Sequence, residues 1–247
     1  MNDAKLQLQA LLPSSIRHRP WIDEIDVRHY DIEARQLIFR PEGSPQSLYF
    51  VAKGWLHSST VLSEDLRPIS KLRIRGDAIG LAWIDRPNRM EDVSTITPVE
   101  LIGLPVGEFR DWMKRDPELQ AFVLDELVRD MMNLRMFSAV VGHMKAPDRL
   151  AYFLFIMLHR CRRTYPTNRN QLPLPMTQEE IGRVLGLTNV SVNRAFRALE
   201  TDGLIQTGRQ MVTLRNEDWF RHRFGMNDRS DLVDQLVGAP LTRTQAA

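Results

Sequence analysis

The side chains best suited to chemistry in this 247-residue chain lie in one short run, Asn189, Val190, Ser191, Asn193, Arg194 and Arg197. The chemistry they suit is recognition by hydrogen bonding, not bond making. A guanidinium can donate two parallel N–H groups to guanine O6 and N7, and a carboxamide can pair with adenine or with phosphate oxygen. Thr188, just ahead of the run, is placed to cap a helix. Val192, Ala195, Phe196 and Leu199 recur at helical spacing, which leaves the polar residues on the other faces of that helix. No arrangement for turnover competes. The sequence holds no phosphate-binding glycine loop, no Cys/His metal spacing and no Gly-x-Ser-x-Gly, and acidic pairs such as Asp23-Glu24 stand in ordinary polar surroundings. An enzyme is not expected.

The elements that must position this run follow from its flanks. Thr177 and Glu180 form a Thr-x-x-Glu capping box, opening a helix with Ile181, Val184 and Leu185 on one face. Gly186 is the residue that can close that helix in the left-handed conformation. Only a few residues then remain before Thr188, and so short a connection forces the two helices into a crossed pair. After the turn signal Asp202-Gly203, two apolar stretches at 204–205 and 212–214 flank Thr207-Gly208-Arg209-Gln210, which predicts a hairpin. Two crossed helices followed by a hairpin make a winged helix-turn-helix, a reader of double-stranded DNA whose second helix enters the major groove. Thr177 and Arg209 join the run as DNA-contact candidates. A net charge of +2 is too small to diagnose nucleic-acid binding. Between positions 148 and 215, however, ten arginines face five acidic residues, an excess that attracts phosphate.

A chain of this length is expected to form two domains. From about Trp21 to Val99 it reads as short strands between turn residues, near 36–39, 47–51, 55–61, 69–74, 76–80 and 93–102, typical of an all-β sandwich or barrel. A short helix is expected over 104–113. Asp116-Pro117 is a strong start for another, with no further Gly or Pro before Gly142. Along it Leu124, Leu127, Met131, Leu134, Ser138 and Val141 repeat at steps of three and four, a heptad seam suited to a second copy of the helix. Phe122, Val128 and Phe137 are left to face its own domain. Residues 142–145 read as a hinge, and Pro147 opens a helix whose Leu150, Phe153, Leu154, Met157 and Leu158 form one apolar stripe. Cys161 sits among Arg160, Arg162 and Arg163. Cations lower a thiol's pKa, which makes Cys161 a candidate redox switch, although a lone cysteine also serves as a small hydrophobe. Residues 165–175 read as a connector, 218–220 as a cover for the domain's underside and 230–237 as a short capped helix. No secretory signal is visible, and the single cysteine suits a cytoplasmic protein.

Nearly the whole chain resembles the Crp/Fnr family of bacterial transcription regulators. The matching residues are Ile181-Gly182, Gly186-Leu187-Thr188, Val192, Arg194, Leu199-Glu200 and Gly203-Leu204-Ile205, with Leu48-Tyr49-Phe50-Val51 through Gly54 and the Gly76-Asp77-x-x-Gly80 segment upstream. The resemblance implies an α+β chain in four parts: a double-stranded β-roll, or jelly roll, as sensor (1–115), a dimerisation helix and hinge (116–143), a winged helix-turn-helix (144–220) and a C-terminal extension (221–247). It further implies a homodimer that regulates transcription from an inverted-repeat operator and contacts RNA polymerase. The implied effector pocket comprises Gly76, Asp77, Gly80, Leu81, Arg89 and Met90. Cyclic-AMP-binding relatives carry a ribose-accepting Glu where this chain has Leu81, and a small hydroxyl residue where it has Met90. Iron–sulfur relatives carry N-terminal cysteines that this chain lacks. Neither cyclic AMP nor an Fe–S cluster is therefore expected, and no other cofactor is indicated. In the reading helix Arg194 matches the family's reading arginine, whereas Val190 replaces a Glu. The rival reading is a sensor that signals through protein contacts, its helix-turn-helix having lost DNA affinity.

Overall fold

A computed structural model describes residues 3–39, 46–63, 66–84, 91–164 and 170–226. They form two compact units, one ending at Val128 and the other beginning at Arg129, so the division falls inside the long helix and not at either of its ends. Among the described residues no helix is long and apolar enough to cross a membrane.

The first unit runs α1 (Asp3–Leu11), α2 (Trp21–Glu24), β1 (Arg28–Ile32), β2 (Leu37–Phe39), β3 (Ser47–Lys53), β4 (Leu56–Thr60), β5 (Ile69–Arg73), β6 (Ala78–Ile79), β7 (Glu91–Thr95), β8 (Val99–Pro105), α3 (Val106–Arg115) and the first part of α4 (Pro117–His143). Its strands make two four-stranded antiparallel sheets, ordered β1-β8-β3-β6 and β2-β7-β4-β5. This is the expected roll. The first sheet is covered on both sides, which explains why β3 reads as continuously apolar instead of alternating. Leu48, Phe50 and Ala52 pack with Ile102 and Leu104 against the helices, while Val51 and Leu101 meet Leu56 and Val93 of the second sheet.

Three expectations need correction here. Residues 21–24 are helical, and with Leu8, Leu11, Leu12 and Ile16 they bury an N-terminal layer that strand patterning did not reveal. The single strand expected over 93–102 is two, β7 and β8, because the chain crosses from one sheet to the other at 96–98. There Thr97 Oγ1 accepts from Trp55 N at 2.9 Å, and Pro98 has no N–H to continue a ladder. β1 was not foreseen. Asp116 does open α4: its Oδ1 accepts from Glu118 N at 3.0 Å, and its two oxygens take Arg19 Nε and Nη2 at 2.8 Å each. The Arg19 guanidinium holds that carboxyl below the usual range.

The second unit continues with the rest of α4, then α5 (Ala146–Thr164), β9 (Gln171–Pro173), α6 (Gln178–Leu185), α7 (Asn189–Thr201), β10 (Ile205–Gly208), β11 (Met211–Leu214) and α8 (Glu217–Arg223). Gly142 and His143 still belong to α4, so of the residues 142–145 expected to form a hinge only Met144 and Lys145 lie outside a helix. α5 is buried all round from 150 to 158, not along one stripe, since α7, α8 and β9 all pack on it. β9 lies within the stretch read as a connector and adds a third strand, giving the order β10-β11-β9. Its three residues, the last of them Pro173, leave too short an apolar pattern to read.

Candidate nucleic-acid interface

The expected caps are present. Thr177 Oγ1 accepts from Glu180 N at 3.1 Å while Glu180 Oε2 accepts from Thr177 N at 2.7 Å, the reciprocal pairing of a capping box. Gly186 closes α6 at φ +64°, and Thr188 Oγ1 accepts from Ser191 N at 3.2 Å to open α7. Val192, Ala195 and Leu199 are buried. Asn189, Val190, Arg194 and Arg197 are exposed, and Ser191 and Asn193 are half-buried. Val190 is 61% exposed, an apolar side chain in open solvent on an otherwise polar face. After α7, β10 and β11 pair in register from Ile205↔Leu214 to Gly208↔Met211, which leaves Arg209 and Gln210 as the tip of a two-residue hairpin. Gln210 takes φ +53° there, the positive φ that a type II turn places at its second central residue. Glu200, near the end of α7, accepts from Thr207 N at 3.1 Å and from its hydroxyl, which fastens the wing to the reading helix.

Charge alone overstated the basic surface. Arg162 donates to Glu217 Oε2 at 2.7 Å, and Arg149 donates to the carbonyls of Met144 and Leu185. Arg194, Arg197 and Arg209, by contrast, are exposed and engage no partner within the described residues, so their donors are available to a ligand. The structure thus brings Asn189, Val190, Arg194 and Arg197 to one exposed face of α7 and Arg209 to the wing tip. Thr177 is occupied with its cap.

Behind this face α8 closes the domain. Phe220 stacks on Phe155 with centroids 5.9 Å apart. Glu217 meets Arg162, Arg221 at 2.8 Å, and His159 Nε2 at 3.3 Å, the last an ion-pair distance without hydrogen-bond alignment. His159 first, then Arg162 and Arg221, hold the Glu217 carboxyl far below the ordinary range, against the upward push of burial. A depressed folded-state pKa gives stability that is present above the unfolded value of about 4.3 and lost as pH falls below it. Melting temperature is therefore expected to drop more steeply between about pH 5 and 2 in the wild type than in Glu217→Gln. Parallel curves from the two proteins would contradict the assignment.

The remaining candidates are dispersed. Cys161 is fully buried and one of its flanking arginines is spent on Glu217, so the thiol lacks the accessibility a redox switch needs. Among the seam residues, Leu124 (62% exposed), Met131, Leu134 (63% exposed) and Ser138 are exposed. Leu127 packs on the core of the first unit while Val128, assigned to that core, is 40% exposed. The exchange has a geometric cause: on a helix Val128 lies about 40° from Leu124 and Leu127 about 60° on the other side. Val141 is half-buried beside the α6–α7 turn, where a Cβ added to Gly186 would lie 3.8 Å from its Cγ1. In the first unit Gly76 and Gly80 have φ +90° and +106°, and Asp77 Oδ2 accepts from Ile74 N at 2.7 Å. Leu81 is buried in the apolar core and offers no ribose acceptor. Arg89 and Met90 lie outside the described residues, as does the helix expected at 230–237. The polar group formed by Ser58, Arg73 and Glu91 was missed. Its one visible signal is an arginine at an inward position of a strand.

Comparison with known proteins agrees with both units. Residues 31–116 match the family model described as a cyclic nucleotide-binding domain, and residues 148–223 match the Crp-like helix-turn-helix domain. The chain is 26% identical over 179 residues to the nitrogen fixation regulation protein FixK of Bradyrhizobium diazoefficiens, covering 72% of this chain and 74% of that protein. It is 21% identical over 197 residues to the fumarate and nitrate reduction regulatory protein of Yersinia pestis, covering 80% and 78%. The solved structure of FixK2 from Bradyrhizobium japonicum superposes with a TM-score of 0.72 at 22% identity, covering 80% of this chain and 97% of that one.

Proposed function

The chain belongs to the Crp/Fnr family of transcription regulators, which are not enzymes, and from that premise we propose that it acts in the cytoplasm as a homodimer on an inverted-repeat operator. A two-fold axis sets two reading helices about 34 Å apart, so the half-sites fall in successive major grooves. The observation that carries this is the start of α7, where Asn189, Val190 and Arg194 stand exposed and Arg194 has no partner among the described residues. That free guanidinium favours DNA over the protein-contact reading, in which it has no role. Arg194 takes guanine O6 and N7. Val190 offers only apolar contact, suited to a thymine methyl, so the operator differs from that of relatives with Glu at this place. RNA polymerase is the further partner the family implies.

The signal is neither cyclic AMP nor an Fe–S cluster. Buried Leu81 cannot accept from a ribose hydroxyl, and one buried cysteine cannot hold a cluster. Binding-site selection with purified protein tests the operator. Wild type is expected to recover an inverted repeat with one fixed guanine per half-site. Arg194→Ala should lose about 1–3 kcal/mol and show no preference at that base. An unchanged base preference in the variant would remove Arg194 from the reading role.

A further inference from the structure

β5 ends on an arginine that turns inward. Arg73 lies opposite Leu56, and Leu56, Ser58 and Thr60 of β4 lie opposite Thr95, Val93 and Glu91 of β7. Opposed residues of an antiparallel pair share a face. Arg73, Ser58 and Glu91 therefore project to the side of Leu56 and Val93, into the core between the sheets. There Arg73 Nε donates to Ser58 Oγ at 3.0 Å, Nη1 to the Ala78 carbonyl at 2.6 Å and Nη2 to Glu91 Oε1 at 3.0 Å. Only 7% of the Arg73 side chain is exposed, and 16% of Glu91.

An ion pair buried this deeply gives up hydration that its attraction seldom offsets, and apolar residues of similar volume would hold the sheets together at least as well. Sheet packing alone therefore gives no reason for the pair. Its geometry suits anion binding: two neutral acceptors, one from β4 and one from β6, hold Nε and Nη1 and leave Nη2 to the carboxylate. The order of depth matters as well, with the arginine the more buried and the carboxylate nearer solvent. We infer that Arg73 is an anion-recognition site inside the roll for a small carboxylate ligand, and that Glu91 is the tethered occupant which such a ligand displaces. A tethered group competes at an effective concentration in the millimolar range or above, so a free carboxylate binds the wild type weakly and gains access once Glu91 is shortened. Because the Ala78 carbonyl between Gly76 and Gly80 holds Nη1, exchange at Arg73 acts on the segment that relatives use for their effectors.

The test is thermal melting of the full chain in sodium formate against sodium chloride at equal ionic strength. Glu91→Ala should melt about 10–20 °C below wild type, since its arginine is left buried and unpaired. Formate should recover about 5–10 °C of that loss, chloride should recover none, and wild type should respond to neither. The double variant Arg73→Met/Glu91→Ala should melt above the single variant and ignore formate. If Glu91→Ala does not fold in chloride, it is refolded in formate at the same ionic strength, where recovery is expected; recovery in neither salt, or equally in both, would overturn the site. Formate and chloride acting alike on the single variant, or a formate response surviving without Arg73, would overturn the site. Either outcome is read without DNA and leaves the role of Arg194 untouched.

Discussion

Leu134→Glu is expected to turn the protein into a monomer, with the mass of one 28.6 kDa chain by sedimentation equilibrium, and to lower specific operator affinity by about 10²–10⁴-fold. The mass follows from α4, which leaves Leu124, Val128, Met131 and Leu134 in solvent on a helix with ample polar surface elsewhere. Large apolar side chains exposed along one face mark an interaction surface, and Leu124, Met131 and Leu134 are spaced as in a coiled-coil seam, with Val128 at its flank. In a parallel pair Leu134 packs beside its own copy. The substitution therefore introduces two like charges together into a site that excludes water. The affinity loss follows from linkage, because a dimer places its second reading helix at high effective concentration once the first has bound, and a monomer forfeits that gain. Asp125→Lys, a larger change of charge at an exposed position on the side of the helix opposite Leu134, is the control and should remain dimeric. A Leu134→Glu protein that stays dimeric with its affinity intact would take α4 out of the interface.

What could be read from the sequence divides along a physical line. Caps, turn glycines and apolar periodicity are local signals, and where they governed the fold the expectation held: the Thr177 capping box, Gly186, Asp116-Pro117 and the strands of the roll. Elements fixed by remote partners were missed. β9 exists because Leu172 pairs across to Val212, and the helices at 3–11 and 21–24 exist because they cover an apolar sheet face formed much later in the chain. The site shows the same division. Asn189, Val190 and Arg194 were legible because one helix presents them together. The trio of Ser58, Arg73 and Glu91 was not, because three strands distant in sequence assemble it. Burial reassigned single residues: composition made Cys161 look reactive, and the packing of α5 enclosed it.

Gly182→Ala should be more damaging than Gly186→Ala, although Gly186 carries the unusual backbone. A side chain at Gly186 must accept φ +64°, which costs about 1–2 kcal/mol, but its Cβ would meet only ordinary contacts, Val141 Cγ1 at 3.8 Å and Arg149 Nη1 at 4.0 Å. Gly182 sits inside α6 with no such strain, yet a Cβ there would lie 2.5 Å from the Leu187 carbonyl oxygen. That oxygen belongs to the backbone of the turn and cannot swing away as a side chain would. The turn is also held from the other side, since Leu187 N donates to the Gly182 carbonyl at 2.9 Å. Relief requires α7 to move away from α6, which displaces Arg194 relative to Thr177 and uncovers Val192, 3.7 Å from the same Cβ. The expected cost is about 3 kcal/mol or more, at the upper end for overpacking, seen as a lower melting temperature of the reading domain and operator binding reduced to the non-specific level. Gly186→Ala should bind its operator at nearly wild-type strength. Equal losses from the two changes would mean that positive φ, and not the approach of Leu187 to Gly182, limits how closely the two helices cross.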